Sequence, residues 1–204
     1  MPTAAATAGG TAQQTRGNNR QAVVAVVPFI RASAEHREPM GVDVSRVLTT
    51  SDQDLGVFDV PAYGYVRRIV LLITASGGTG GSPAATLTED APWSLIKNIA
   101  LTEPNGAVLS QFDTGYNLHL ANKWGGYRHP LGSDFRASPT FTNFGATFAS
   151  GQFMLSIPVE INLRDALGAL PNQNAGATFK LKLTLAKVAD VAAGTLPTTL
   201  PTVR

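Results

Sequence analysis

The sequence predicts an all-β protein: a jelly-roll β-sandwich of the antiparallel, eight-stranded type, with short helices in its connections and an extended N-terminal arm. Three observations carry that expectation. Many short runs rich in β-branched and aromatic residues are punctuated by Gly, Pro, Asn and Asp turns, the pattern of sandwiches and barrels. The run "ATFKLKLTLAKV" alternates cleanly, with Phe179, Leu181, Leu183 and Leu185 on one face and Lys180, Lys182 and Thr184 on the other, so that strand has one buried and one wet face. Charged residues make up 15% of the 204-residue chain, below the roughly 25% usual for globular proteins. So weakly solvated a surface suits a protein packed against copies of itself.

Residues 1–55 read as an extended arm. The first 21 residues, "MPTAAATAGGTAQQTRGNNRQ", hold Ala, Thr, Gly, Gln and Asn without apolar periodicity and cannot form a core alone. "VVAVVPFIRAS" and "VDVSRVLTT" follow as extended pieces, ambiguous between strands and a partly ordered extension. Residues 56–190 form the jelly-roll domain. "VFDV" leads through Pro61 to "YVRRIVLLITA", a long strand, and the glycine cluster "SGGTGGS" makes a loop. In "IALTEPNGAVLSQF" the Asn105-Gly106 dipeptide between two apolar-alternating runs predicts a hairpin with a type I′ turn. An irregular passage rich in aromatics, Pro and Gly, "WGGYRHPLGSDFRASPTFTNFG", reads as long loops with short strands. "GQFMLSIPVEINL" is a strand that Pro158 biases toward a sheet edge, and "NLRDALGAL" is a short helix capped by Asn162. The remaining residues, 191–204, are rich in Thr and Pro and read as a poorly packed tail or linker.

"FDTGYNLHLANKW" is the one strongly helical stretch, and its mixture of His, Asp, Asn and Lys raises the question of chemistry. Phe112, Tyr116, Leu120 and Trp124 recur every four residues, which predicts an apolar packing stripe along one helix face. Asp113 or Thr114 serves as N-cap, and Gly125-Gly126 ends the helix. A catalytic reading would need a partner for His119, yet the positions three and four residues away are Tyr116, Gly115, Asn122 and Lys123. No second histidine or carboxylate stands at metal-ligand spacing, so His119 reads as structural.

Other functional classes find little support. Without cysteine there are no disulfides, thiolate nucleophiles or Cys-based metal sites. "SGGTGGS" lacks the Gly-Lys-Ser/Thr ending of a phosphate loop, and no Gly-x-Ser-x-Gly elbow occurs. Glu89-Asp90 and Asp52-x-Asp54 are carboxylate pairs in turn-like contexts, where acids are far commoner in turns than in catalysis. No cofactor is expected, and nothing points to an enzyme. The formal net charge of +2 gives no block suited to counterion-release binding of nucleic acid. Arg16, Arg20 and Arg31 precede the first acid, Glu35, so the arm is mildly cationic toward phosphates or anionic headgroups, with a solvated tail as the plainer reading. "AVVAVVPFI" is too short for a membrane helix, and the first residues do not read as a signal peptide.

Four segments in order, "GVFDVPAYGYVRRIVLLITA", "LTEDAPWSLIKNIALTEPNG", Gly115-Tyr116-Asn117-Leu118-His119-Leu120-Ala121-Asn122 and "FMLSIPVEINLRDALGALPNQNAGATFKLKLTLA", resemble the first barrel of tectivirus-like major capsid proteins. The resemblance covers roughly residues 56–187. It implies the shell of a membrane-containing bacteriophage of the double jelly-roll lineage, with homotrimeric, pseudo-hexagonal capsomers built in the host cytoplasm and resident in the virion. It also implies that Arg16, Arg20 and Arg31 face an internal membrane or the genome. That family carries two barrels in tandem, so a second barrel would lie in a longer chain or be supplied by another one. A jelly-roll binding module, such as a carbohydrate-binding domain, is the alternative, with Tyr63, Tyr65, Trp93, Tyr127 and Phe135 as the aromatic candidates.

Overall fold

Leu181, Leu183 and Leu185 are buried while Lys180 and Lys182 face solvent, so the alternation predicted for this strand sets its two faces. The computed structural model describes residues 39–78, 85–125, 151–161, 167–196 and 198–204. Its strands are β1 (Arg46–Val47), β2 (Gln53–Asp59), β3 (Tyr65–Val66), β4 (Arg68–Ser76), β5 (Thr86–Leu87), β6 (Ile96–Thr102), β7 (Val108–Phe112), β8 (Gly151–Pro158), β9 (Leu170–Pro171), β10 (Lys180–Leu185), β11 (Ala192–Ala193) and β12 (Thr202–Val203). The helix α1 spans Gly115–Trp124.

Among the described residues the main strands form two four-stranded sheets, ordered β1-β12-β4-β8 and β2-β10-β6-β7, with every pairing antiparallel. Along the chain these strands alternate between the sheets at every step except the β6–β7 hairpin. That order is a jelly roll, and the expected fold class is borne out. One apolar cluster joins the sheets: Ile69, Ile73, Phe153 and Ile157 from the first meet Ile99, Leu101, Leu181 and Leu185 from the second. Among the described residues β8 is an edge strand, consistent with Pro158 at its end.

Two local expectations need correction. The hairpin is where Asn105-Gly106 placed it, but the turn is not type I′. Pro104 has no N–H to close a two-residue loop, so the ladder closes one residue earlier, with the Glu103 amide donating to the Ala107 carbonyl at 2.8 Å and the Gly106 amide to the Glu103 carbonyl at 2.9 Å. The resulting three-residue loop is a turn over Pro104-Asn105 followed by Gly106 at φ +90°. The long strand "YVRRIVLLITA" is interrupted at Arg67, whose guanidinium Nε sits 2.7 Å from Oε2 of the fully buried Glu160. The predicted helix capped by Asn162 falls largely outside the described residues.

The larger correction concerns both ends of the domain. Residues 191–204 are not a loose tail: Val191, Ala192 and Val203 are buried, and β12 lies between β1 and β4 in the middle of a sheet. The Leu48 amide donates to the Pro201 carbonyl at 2.9 Å, and Leu48 is itself 1% exposed. The barrel therefore begins before residue 56, since β1 and the first three residues of β2, Gln53, Asp54 and Leu55, belong to it. Thr and Pro mislead here because a strand this short needs only one apolar anchor, Val203.

Two consequences are measurable. Val203→Asp puts a charge with no partner between two strands and is expected to cost about 3 kcal/mol or more, whereas a substitution in a free tail would stay within about 0.5 kcal/mol; urea denaturation separates the two. The second concerns acid. Hydrogen bonds from the Gly56 amide and then Lys182 lower the pKa of Asp54, and a hydrogen bond from Arg204 lowers that of Asp43. Depressed folded values mean that the stability these groups supply is complete above the ordinary 3.8 and drains as pH falls through the lower folded values. Asp54→Asn should therefore lose less Tm than the parent between about pH 4 and 2; parallel Tm curves would contradict it.

Candidate functional site

The stretch Phe112–Trp124 links β7 to β8, and its polar residues serve architecture. Thr114 is extended, and its Oγ1 accepts from the Asn117 amide at 3.1 Å, capping α1; Gly125 closes the other end with its amide on the Ala121 carbonyl. Of the two expected caps, Thr114 is the one used.

The face that α1 buries is not the expected stripe. Phe112 belongs to β7 and is half-buried, Tyr116 and Leu120 are half-buried, and Trp124 is 78% exposed. The buried positions are Gly115, Leu118 and Asn122, one of them without a side chain and one polar. A Cβ at Gly115 would collide with the Trp93 carbonyl oxygen and stand 3.2 Å from Ile96 and 3.3 Å from Leu155, so only glycine lets the helix approach this closely. Leu118 fills the core beyond it.

Asn122 performs the most specific task. Its Nδ2 donates to the Leu118 carbonyl at 2.8 Å and to the Ser156 carbonyl at 2.7 Å, while its Oδ1 accepts from the Ser156 amide at 2.9 Å. The side-chain amide thus pairs with both main-chain groups of Ser156 as a neighbouring strand would, on the outer edge of β8. Among the described residues, one residue of a helix occupies the edge of β8 that faces away from β4.

His119 lies against Trp93, ring centroids 3.8 Å apart and planes 23° apart, with Tyr116 flanking at 6.3 Å from Trp93 and 6.4 Å from His119. The stack pins α1 to the turn Trp93–Leu95 that opens β6. This is a packing arrangement of three rings, and Trp93 is engaged in it. Of the remaining aromatic candidates, Tyr63 is exposed, Tyr65 lies half-buried on β3, and Tyr127 and Phe135 fall outside the described residues.

The acidic pairs are also taken up by the fold. Asp52 Oδ1 accepts from the Lys187 amide at 2.9 Å, and Asp54 pairs with Lys182 at 3.2 Å. Glu89-Asp90 occupies a turn, where the Asp90 carbonyl accepts from the Ser94 amide at 3.1 Å. Among the described residues no group of three or more His, Asp or Glu side chains is placed to hold a metal ion, and no helix is long and apolar enough to cross a membrane. Arg16, Arg20 and Arg31 lie outside the described residues.

The site and topology together define a jelly-roll sandwich whose distinctive local feature is a helix that locks an edge strand. No protein-family model matches the chain, and no curated protein matches it. Among solved structures, the chain is similar to the crystal structure of the STIV major capsid protein at 14% identity and a TM-score of 0.36, over 71% of this chain and 48% of that one. The chain thus spans about half the length of that solved chain. The fold assignment rests on the strand order given above and not on this likeness.

The clamp makes a sharp prediction. Asn122→Ala leaves the buried Ser156 amide and carbonyl without partners and should cost about 2 kcal/mol or more, whereas Trp124→Ala should stay within about 0.5 kcal/mol. Equal losses in chemical denaturation would restore the four-residue stripe as the packing face.

Proposed function

We propose that this chain is a structural shell protein of a virion, contributing an upright jelly-roll barrel to homotrimeric, pseudo-hexagonal capsomers of a membrane-containing bacteriophage. The observation that carries the reading is the coincidence of the segment resemblance with the clamp. In the resembling segment Gly115-Tyr116-Asn117-Leu118-His119-Leu120-Ala121-Asn122, the Gly, Leu, His and Asn are the residues with defined structural tasks. The signature is therefore that of a barrel locked by its own helix, which supports a scaffold role. Its partners are other copies of the shell protein. The cationic arm, through Arg16, Arg20 and Arg31, faces the internal membrane or the genome.

The exposed apolar residues support self-association. Val47, Val70 and Leu72 on the first sheet and Val57 and Val108 on the second are each about half exposed. The carbohydrate-binding alternative requires a solvent-facing aromatic platform, whereas among the described residues the candidate Trp93 is stacked against His119.

Size-exclusion chromatography with light scattering tests the proposal. The expected species is three copies of the 21.4 kDa chain or a larger assembly, and a strict monomer at high concentration refutes it. Liposome and nucleic-acid co-sedimentation, with and without Arg16→Ala/Arg20→Ala/Arg31→Ala, tests the arm separately.

A further inference from the structure

The tip of the β6–β7 hairpin carries chemistry that the packing of the sandwich does not use. Pro104, Asn105, Gly106 and Ala107 are all exposed. Asn105 is the one asparagine of the 204-residue chain that precedes a glycine. An asparagine carboxamide is an electrophile within reach of the main-chain nitrogen of the next residue, and a glycine there has no Cβ to obstruct the approach.

The side chain is also held in place. Asn105 Oδ1 accepts from the Ala107 amide at 2.9 Å, so the carboxamide folds forward along the chain instead of swinging into solvent. A main-chain N–H on this oxygen draws electrons from Cγ and stabilises the negative charge that gathers on Oδ1 when a nucleophile adds. The Gly106 amide donates to the Glu103 carbonyl at 2.9 Å, and that bond must open before its nitrogen can attack. At an exposed loop tip such an opening is local and does not require the barrel to unfold.

Asn174 supplies the comparison. Its Oδ1 accepts from the Gly176 amide, also two residues on, at 2.9 Å, and residues 174–176 are exposed as well. The forward fold of the side chain is therefore the same. The neighbour differs, because Ala175 carries a Cβ.

We propose that Asn105 is a site of self-modification through a cyclic imide. The Gly106 nitrogen bonds to Asn105 Cγ and gives its proton to hydroxide; the Cγ–Nδ2 bond breaks, and ammonia leaves with a proton taken from water. One water then opens the ring. Cleavage at Cγ leaves an aspartate, whereas cleavage at the main-chain carbonyl carbon leaves an isoaspartate, whose main chain runs through Cγ and is longer by one carbon. Either product adds a carboxylate two residues from Glu103, at the bend that closes the β6–β7 ladder. The inference stands independently of the shell reading.

Peptide mapping of the folded full chain by mass spectrometry, after increasing times in mildly alkaline buffer, tests it. A sample digested at zero time sets the background from digestion. The peptide released by cleavage after Lys97 and Lys123 also holds Asn98, Asn117 and Asn122, so fragmentation assigns the site. A gain of about 1 Da is expected at Asn105, accumulating at least about tenfold faster than at Asn174. Asn105→Ser, whose hydroxyl can accept from the same Ala107 amide, should abolish the gain in that peptide and leave Asn174 unchanged. A rate at Asn105 no greater than at Asn174, or a gain in the peptide that survives Asn105→Ser, overturns the proposal.

Discussion

The insertion of β12 between β1 and β4 is the constraint on which the first sheet depends. Among the described residues β1 has no other partner in that sheet, and the residues brought together are far apart in sequence: Thr74 and Arg204 are 130 positions apart. Closing so long a loop costs chain entropy before any contact repays it, so this half of the sandwich is slow to complete by topology alone. What holds so short a strand is a set of unlike interactions. Burial of Val203, the Leu48–Pro201 hydrogen bond and the exposed Asp43–Arg204 pair act at successive positions along it.

Two buried asparagines complete what the strands leave undone. Asn122 pairs with the Ser156 main chain on the side of β8 away from β4, as described above. Asn172 does similar work at the other turn of the chain, its Nδ2 reaching the Pro61 carbonyl at 2.6 Å and the Val60 carbonyl at 3.2 Å while its amide donates to Gly64 at 2.9 Å. An amide side chain carries a donor and an acceptor like a peptide unit, so it can substitute for a strand where no strand fits. The Arg67–Glu160 pair is different in kind: a fully buried carboxylate is held by a guanidinium that is still 23% exposed, a costly arrangement whose value lies in fixing one geometry.

Much of this architecture is legible in the sequence, and the failures have a common cause. Alternation placed β10 and its faces, Asn105-Gly106 placed the hairpin, and cap and glycine signals bounded α1 within a residue or two. The helix face was misread because counting large apolar residues finds Phe112, Tyr116, Leu120 and Trp124, whereas the contact is made by Gly115, Leu118 and Asn122. Close approach selects for the smallest residue and edge-pairing for an amide, and neither scores as hydrophobic. The C-terminal strand was missed for a related reason: its partner residues lie at the opposite end of the chain, and no local window contains both. A signal was nonetheless present in the order Gly-aromatic-x-Leu-His-apolar-x-Asn, whose spacing marks the residues that the structure uses.

The two outer faces of the sandwich differ in a way that bears on what surrounds it. On the second sheet Lys182 pairs with Asp54 and Lys180 approaches Asp59 at 3.8 Å, so its face carries a ladder of opposite charges suited to water. These pairs are well exposed and add little stability, but they keep the face wet. On the first sheet the corresponding positions of β4 are Val70, Leu72 and Thr74, with Gln152, Met154 and Ser156 beside them on β8. No charged residue stands among these six. A face built this way gains from being covered, whereas a sugar-binding surface would need its rings free, and Trp93 is stacked against His119. Both faces expose apolar side chains, Val57 and Val108 on the second sheet and Val70 and Leu72 on the first, so the difference between them lies in the charge ladder that the second sheet adds and the first lacks at these positions.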